Sequence, residues 1–271
     1  MIRDVHHAGI VVRSLETALA LYRDTLGLEV VKEGSAGGLR VAIAAAGRSY
    51  LEILEPLEPD SPFAQHIEER GEGLHHLALW VEDVEAMVTG LRERGVAPAD
   101  ATPREGFTGR RSCLRPEAFD GALLEVVQPE KGLSGAASSG SAIKGIDHVV
   151  LRVPDVGRTV AGFEEWLGVP VKRRMERGDF QFAFMRPGEV IIEVIGPKSG
   201  GEPGSGAVAG LAFEVEGIDE LTARVKAGGY PIGAPHPALQ GGRIVSVHRS
   251  GACGVALAFI DFTGSPGPPA R

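Results

Sequence analysis

The stretch LHHLALWV, residues 74–81, alternates in its hydrophobicity. Leu77, Leu79 and Val81 take one parity, and His76, Ala78 and Trp80 take the other. A period of two predicts a strand with an apolar face and a second, different face. Neighbouring strand side chains point to opposite sides, so of the pair His75–His76 only His76 faces away from the leucines. The amino terminus repeats the pattern, with His7, Gly9 and Val11 on one side and Ala8, Ile10 and Val12 on the other. The segment that follows, SLETALALYRDTLG, has helical periodicity, with Ser14 as its capping residue and a stop at Gly27. A second strand, LEVVK, comes next.

The same succession returns later. HHAGIVVRSLETALALYRDTLGLEVVK, from His6, matches DHVVLRVPDVGRTVAGFEEWLGVPVKR, from Asp147. His7 to Gly27 and His148 to Gly168 both span 20 positions, and His7 to Glu52 and His148 to Glu193 both span 45. Equal spacings of this kind identify an internal repeat. Each copy contains a smaller one: HHLALWVEDVEAMVTGLRERGV is again histidine, strand, acidic turn, helix and glycine, followed by strands ending in ALLEVVQP. GLAFEVEGIDELTARVKAGGY and VALAFIDF fill those places in the second copy. The expected fold is α+β, four βαβββ modules in two tandem domains at residues 1–130 and 145–263. A Gly/Ser/Ala-rich linker is expected over Pro129–Gly145.

Composition narrows the function classes. The 271 residues are 43% hydrophobic and 24% charged, enough for packed cores, and the net charge is -8. That balance argues against nucleic acid or an anionic membrane as the main partner. Cys113 and Cys253 are the only cysteines, so a disulfide framework is not expected and a reducing compartment fits. MIRDVHHAGIVV places charge and histidine where a signal peptide needs an apolar run, and no apolar run reaches ~18 residues. A cytoplasmic protein is expected.

Sorting strand residues by face brings out candidate chemistry. His7, Glu52, His76 and Glu125 each stand opposite apolar neighbours that a helix would cover, which leaves the four on the other, concave face. A strand histidine alone is ordinarily a hydrogen-bonded structural residue; His6, His66 and His75 are read as structural or solvent-facing. The four together are different, because each module of the first domain supplies a histidine from its first strand and a glutamate from its last. Two imidazoles and two carboxylates suit one divalent ion of Co, Mn, Ni or Fe with two open positions, and zinc remains possible. Neither cysteine lies at ligand spacing.

These segments resemble the vicinal oxygen chelate superfamily, which includes glyoxalase I, extradiol dioxygenases, fosfomycin and bleomycin resistance proteins and methylmalonyl-CoA epimerase. Over about residues 4–129 the chain is similar to the epimerase branch, most specifically in EPLEPDSPFAQHIEERGEGLHH. The resemblance implies His7, Glu52, His76 and Glu125 as metal ligands and a 2-methyl-branched malonyl thioester as substrate. It implies epimerisation by proton removal next to the thioester carbonyl, with a metal-stabilised enolate. Glu125 is the candidate first base. In some relatives a glutamate on the strand before Glu52 is the second acid/base; here Val41 stands about there, Glu33 precedes it, and Glu52 itself is the remaining candidate. Arg104, Arg110, Arg111 and Arg115 are candidate contacts for coenzyme A phosphates.

In the second copy His148 and Glu193 keep their places, while Gly210 and Ala258 replace the other two. That domain is read as metal-free, a stand-in for the second subunit of a dimer. A metal-dependent oxygenase or lyase, or a non-catalytic small-molecule binding or resistance protein, is the alternative function. The partner in each case is a small molecule, for the epimerase an acyl-CoA, and the chain is expected as a monomer or homodimer.

Overall fold

The computed structural model describes residues 1–96, 98–135 and 142–263. Two curled, mixed eight-stranded sheets carry the repeat. The first contains β1 (Ile2–Val11), β2 (Val30–Ala36), β3 (Leu39–Ala46), β4 (Ser49–Pro56), β5 (Gly73–Val81), β6 (Arg104–Glu105), β7 (Gly109–Cys113) and β8 (Leu124–Pro129), in spatial order β2-β3-β4-β1-β5-β8-β7-β6. The second contains β9 (Ile143–Arg152), β10 (Val171–Arg177), β11 (Phe180–Met185), β12 (Ile191–Pro197), β13 (Ala207–Val215), β14 (His236–Pro237), β15 (Arg243–Val247) and β16 (Leu257–Asp261), in the corresponding order β10-β11-β12-β9-β13-β16-β15-β14. With α1 (Leu15–Leu19), α3 (Val84–Glu93), α4 (Val156–Glu165) and α5 (Ile218–Ala227), each following the first strand of a module, these form the four βαβββ units. Of the linker expected over Pro129–Gly145, residues 136–141 lie outside the described residues, while Pro129 ends β8 and Ile143–Gly145 belong to β9.

Local chemistry accounts for the element ends. Ser14 Oγ accepts from the Thr17 N–H at 3.3 Å and opens α1. The helix then widens into a π-turn over Ala20–Thr25, where Leu26 N donates to Leu21 O at 2.8 Å, and it stops at Gly27. Gly27 and Gly168 have φ of 77° and 68°, the left-handed conformation that the Leu-Gly stop requires. Asp83 and Asp155 cap α3 and α4 in the same manner as Ser14. Helix α5 begins at Gly217, which has no capping side chain. There Asp261 of β16 substitutes, accepting from the Gly217 and Ile218 N–H groups at 3.1 Å each. A further helix, α2 (Pro62–Arg70), has Ser61 as N-cap and Pro62 in its first turn and is an addition to the repeat.

The chain forms two compact units. One holds Met1–Ala8, His75–Ser134 and His148–Ala209; the other holds Gly9–Leu74, Gly135–Asp147 and Gly210–Arg271. Inside the first, Phe119 packs edge-on against Phe163 and Trp166, with ring centroids 5.2 and 5.8 Å away. Its buried carboxylates are hydrogen-bonded, as burial demands: Asp120 accepts from Thr159 Oγ1 at 2.9 Å, and Asp4 accepts from the Glu189 and Val190 N–H groups at 2.8 and 3.2 Å. In the second unit the Tyr22 hydroxyl donates to Ala252 O at 3.4 Å. Gly254 packs so close to the Glu72 backbone that a Cβ would meet Glu72 O at 1.8 Å. Among the described residues no helix is long and apolar enough to cross a membrane.

Candidate metal centre

Register sorts the first sheet into its two faces. Ala78 of β5 pairs with Glu125 of β8 in the parallel ladder, so His76, Ala78 and Glu125 share a face, while Leu77, Leu79, Leu124 and Val126 take the other and are buried. On β4, Glu52 pairs with Ile43 of β3 and stands opposite the buried Leu51 and Ile53. His7, Glu52, His76 and Glu125 are all buried, with 0–8% of their surface exposed.

Three of the four, His7, Glu52 and His76, form a cluster with metal-ligand spacing, and Glu125 approaches the two histidines. His7 Nε2 lies 3.2 Å from His76 Nε2 and 3.5 Å from Glu125 Oε1, and His76 Nε2 is 3.9 Å from the same oxygen. Ligand atoms of His7, Glu52 and His76 all lie within 4.8 Å of one another. Donors roughly 2.1 Å from a first-row ion and at right angles to one another stand roughly 3.0 Å apart. The His7–His76 separation matches one such edge, and two nitrogens with the Glu52 carboxylate form a donor set of borderline character. The residues present therefore fit a divalent ion.

The doubled histidines bear on the orientation of the candidate ligands. His6 Nε2 lies 2.8 Å from Leu133 O, and a carbonyl only accepts, so that nitrogen carries the proton. Neutral His6 then has an unprotonated Nδ1, which lies 2.8 Å from His7 Nδ1. His7 must donate there, which leaves its Nε2 lone pair directed at the centre. His75 Nδ1 and His76 Nδ1 repeat the contact at 3.1 Å. His6 and His75, structural or solvent-facing on sequence grounds, thus each contact the far nitrogen of a candidate ligand, the usual place for a group that fixes a metal-binding imidazole. His66 lies on α2, away from this arrangement in the chain, and burial with Arg70 nearby lowers its pKa.

The two oxygens of Glu125 are divided. Oε1 faces the histidines, while Oε2 accepts from Arg111 Nη1 at 3.0 Å. Arg111 Nη1 also lies 2.9 Å from Cys113 Sγ, and Cys113 pairs in register with Glu125. Burial, with the Glu125 charge adding to it, pushes the Cys113 thiol up to about 11, so it stays protonated near neutral pH. Asp100 accepts from the Cys113 N–H at 2.9 Å; burial pushes its carboxyl up, but this bond together with Arg104 and Arg111 holds it below the usual range.

The remaining candidates separate. Arg110 pairs with Glu85 and Glu105, and Arg104 pairs with Asp100, so of these three arginines it is Arg111 that pairs with Glu125. Val41 is buried on the Glu52 face of β3 with no carboxylate. Glu33 pairs with Ala42, which pairs with Ile53, so it lies on the face opposite Glu52, where it approaches Arg40 at 3.8 Å. Lys32 pairs with Ile43 and so takes the Glu52 face instead, a placement that alternation alone does not give. In the second domain His148 Nε2 is 4.0 Å from Glu193 Oε2, and Gly210 and Ala258 occupy the other two positions without donor side chains.

Comparison with known proteins identifies the family. A family model described as the Glyoxalase/Bleomycin resistance protein/Dioxygenase superfamily matches residues 6–114, and a second model of the same description matches residues 145–258. Over its first half the chain is 35% identical across 133 residues to an ethylmalonyl-CoA/methylmalonyl-CoA epimerase of Cereibacter sphaeroides, an alignment covering 47% of this chain and 99% of the relative. It is 29% identical across 128 residues to the mitochondrial methylmalonyl-CoA epimerase of Homo sapiens, covering 46% of this chain and 73% of that one. A mutant of 4-hydroxymandelate synthase from Streptomyces coelicolor matches with a TM-score of 0.75 over 100% of this chain and 94% of its own, at 16% identity, a likeness of fold alone. With both halves matched and the repeated modules in place, the chain belongs to the glyoxalase/bleomycin resistance protein/dioxygenase, or vicinal oxygen chelate, superfamily and carries two of its domains in tandem.

Proposed function

We propose that the first domain is a divalent-metal-dependent epimerase or isomerase of an acyl-CoA thioester, of the methylmalonyl-CoA type. The observation that carries the reading is the divided carboxylate of Glu125, with Oε1 among the two imidazoles and Oε2 held by Arg111. A base for carbon acids needs to be fixed beside the substrate, and this one is fixed from both ends. The similarity of the first half to curated epimerases of malonyl-type thioesters supports the substrate class.

His7, Glu52, His76 and Glu125 would hold the ion, which supplies Lewis acidity to the oxygens of the bound thioester. Glu125 Oε1 takes the proton from the carbon between the two carbonyl groups, and the electron pair moves onto the thioester oxygen. Glu52 delivers a proton to the opposite side of that carbon. It takes this task because β3 presents only apolar residues from Val41 to Ala46 and Glu33 is on the wrong face. Burial of the four side chains excludes water that would compete for the proton.

The test is deuterium uptake at C2 of methylmalonyl-CoA in D2O, with protein loaded with Mn or Co and with protein stripped by chelator. Metal-dependent uptake is expected. Absence of uptake with every ion tried would refute the reading.

A further inference from the structure

We infer that the second domain carries a binding site of its own for a flat aromatic carboxylate, on the sheet face that His148 and Glu193 share. The inference is independent of the reaction proposed for the first domain.

The stretch DFQFAFM, residues 179–185, has no part in the metal centre. Phe180, Phe182 and Phe184 alternate along β11, and register puts them on the face of Glu193. Phe184 pairs with Glu193, Phe182 with Ile195 and Phe180 with Pro197. In the parallel ladder beside them Glu193 pairs with Val150 and Ile195 with Arg152. The strands from His148 to Pro197 all lie in one compact unit. Their opposite face is closed: Val149, Leu151, Ala183, Ile192 and Val194 are 0% exposed. Helix α4 lies against that face, where a Cβ on Gly196 would meet Val156 Cγ2 at 3.0 Å. On the phenylalanine face the three rings, Val150 and Ile195 are only half-buried. Strands stand about 4.8 Å apart and alternate side chains about 6.6 Å apart, so this apolar area measures roughly 10 by 13 Å, room for a two-ring system.

The first domain gives the contrast. Ile43 pairs with Glu52 as Phe184 pairs with Glu193, so Leu39, Val41 and Ile43 take the places of the three phenylalanines. Val41 and Ile43 are 1% and 0% exposed, so the smaller residues are covered and the larger ones are not.

Charge decides what fits on the open face. Arg173 and Arg177 of β10 pair with Phe184 and Phe180 and so flank the rings at both ends, while Arg152 stands beyond Ile195. All three are exposed, and among the described residues none of the three has an ion pair or hydrogen bond. Glu193, the acid on this face of the four strands, lies 4.0 Å from His148 Nε2. A chain of net charge -8 thus gathers three cations around an aromatic patch. The planar guanidinium fork matches a carboxylate, and the rings take the flat body that bears it. Between the arginines the face is mainly apolar and offers little to sugar hydroxyls, which favours an aromatic acid over a nucleotide.

2-Naphthoate is the probe, titrated by calorimetry into the full chain with and without chelator. The proteins compared are wild type, Phe182→Ala, the double variant Arg173→Met/Arg177→Met, and Arg174→Met, which pairs with Ala183 and takes the opposite face. Saturable binding to wild type is expected, with the same affinity in the presence of chelator. It should weaken at least about 5-fold in Phe182→Ala and in the double arginine variant, and stay within about twofold in Arg174→Met. 2-Naphthylmethylamine and adenosine monophosphate should each bind at least about 10-fold more weakly than naphthoate. No binding by wild type, loss of binding with chelator, equal affinity in the double arginine variant, or tighter binding of the amine or the nucleotide would overturn the inference. So would a concentration-dependent dimer, seen by sedimentation, that Phe182→Ala abolishes, because a second copy would then be the occupant of the face. If Phe182→Ala does not fold, the double arginine variant, altered only at exposed positions, decides.

Discussion

Replacing His6 by phenylalanine isolates the relay behind the first ligand. The ring remains similar in shape, but both polar contacts go: the one to Leu133 O at 2.8 Å and the one to His7 Nδ1 at 2.8 Å. His6 and His7 are essentially fully buried, so neither abandoned group regains water. Each unsatisfied group costs about 1–3 kcal/mol of stability. More informative is the effect on the metal. Without an acceptor at Nδ1, His7 is free to put its proton on Nε2, the nitrogen that faces His76, and the ligand is lost for that fraction of molecules. Removal of such a partner typically costs roughly 10- to 100-fold in metal affinity, or about 1.4–2.7 kcal/mol. The assay is competition with a chromophoric chelator for Co, alongside urea unfolding to show that the variant is folded. His6→Gln, with one donor and one acceptor, should recover part of the loss. A folded His6→Phe protein that holds Co as tightly as wild type would refute the relay.

Other expectations follow from the same geometry. Glu125→Gln should keep most bound metal, because an amide oxygen still coordinates, and should lower the deuterium-uptake rate by roughly 10²- to 10⁴-fold; near-normal uptake would place the base elsewhere. His7→Ala should lose most of the metal and His148→Ala should leave it unchanged, so that elemental analysis gives one ion per chain in wild type; equal loss in the two variants would mean the second domain also binds. Asp261→Ala should destabilise the chain by about 1–3 kcal/mol through the uncapped start of α5, read by urea unfolding. Burial raises the Asp261 pKa, but donors from Thr263, Ile218 and Gly217 outweigh it and hold the carboxyl below its ordinary range. Its contribution is therefore fully present above the unfolded value of about 3.9 and fades as pH falls through the lower folded value, so the gap between wild type and Asp261→Ala should narrow only in that acid window.

The repeat made most of the fold legible. Two spacings, 20 and 45, recur from His7 and His148, and alternation assigned faces to the strands of His7, Glu52, His76 and Glu125 without reference to structure. Ser14 and Gly27 were legible as helix ends because capping and left-handed stops are local chemistry. Glu33 was not. The ladder shifts register between Val30 and Lys32, so one extra residue inverts the parity of everything after it on β2. That shift turns Glu33 away and Lys32 inward, and the same shift recurs between Val171 and Arg173 on β10. Helix α2 is hard to see in the sequence because its run of charged residues has little apolar periodicity, and only Ser61–Pro62 marks its start. Alternation also concealed His6 and His75. It says correctly that they point away from the ligand face, but not that an imidazole Nδ1, close to the backbone, still reaches its neighbour's ring. Arg111 was indistinguishable from Arg104 and Arg110 until ion pairs with Asp100, Glu85 and Glu105 accounted for the other two.

The two domains differ at the candidate ligands and at the residues beside them together. In the first, each ligand histidine is preceded by a second histidine, and Glu125 has Arg111 beside it. In the second, Asp147 precedes His148, Ala209 precedes Gly210, and Ile244 takes the arginine's place. Loss of two donors leaves one imidazole and one carboxylate 4.0 Å apart, a pair that an ion pair or hydrogen bond satisfies without a metal. Once the ion is gone, a histidine behind the ligand has no tautomer to fix, and an arginine behind the base has no carboxylate to hold. On this reading the supporting residues and the candidate ligands they contact are present or absent together in the two domains. By this argument, restoring metal binding to the second domain requires more than Gly210→His and Ala258→Glu. Adding Asp147→His and Ala209→His to that pair should raise the Co affinity further, by roughly the 10- to 100-fold that such partners contribute. A double variant that binds Co as tightly as the quadruple one would show that the ligands suffice and that the doubled histidines are incidental.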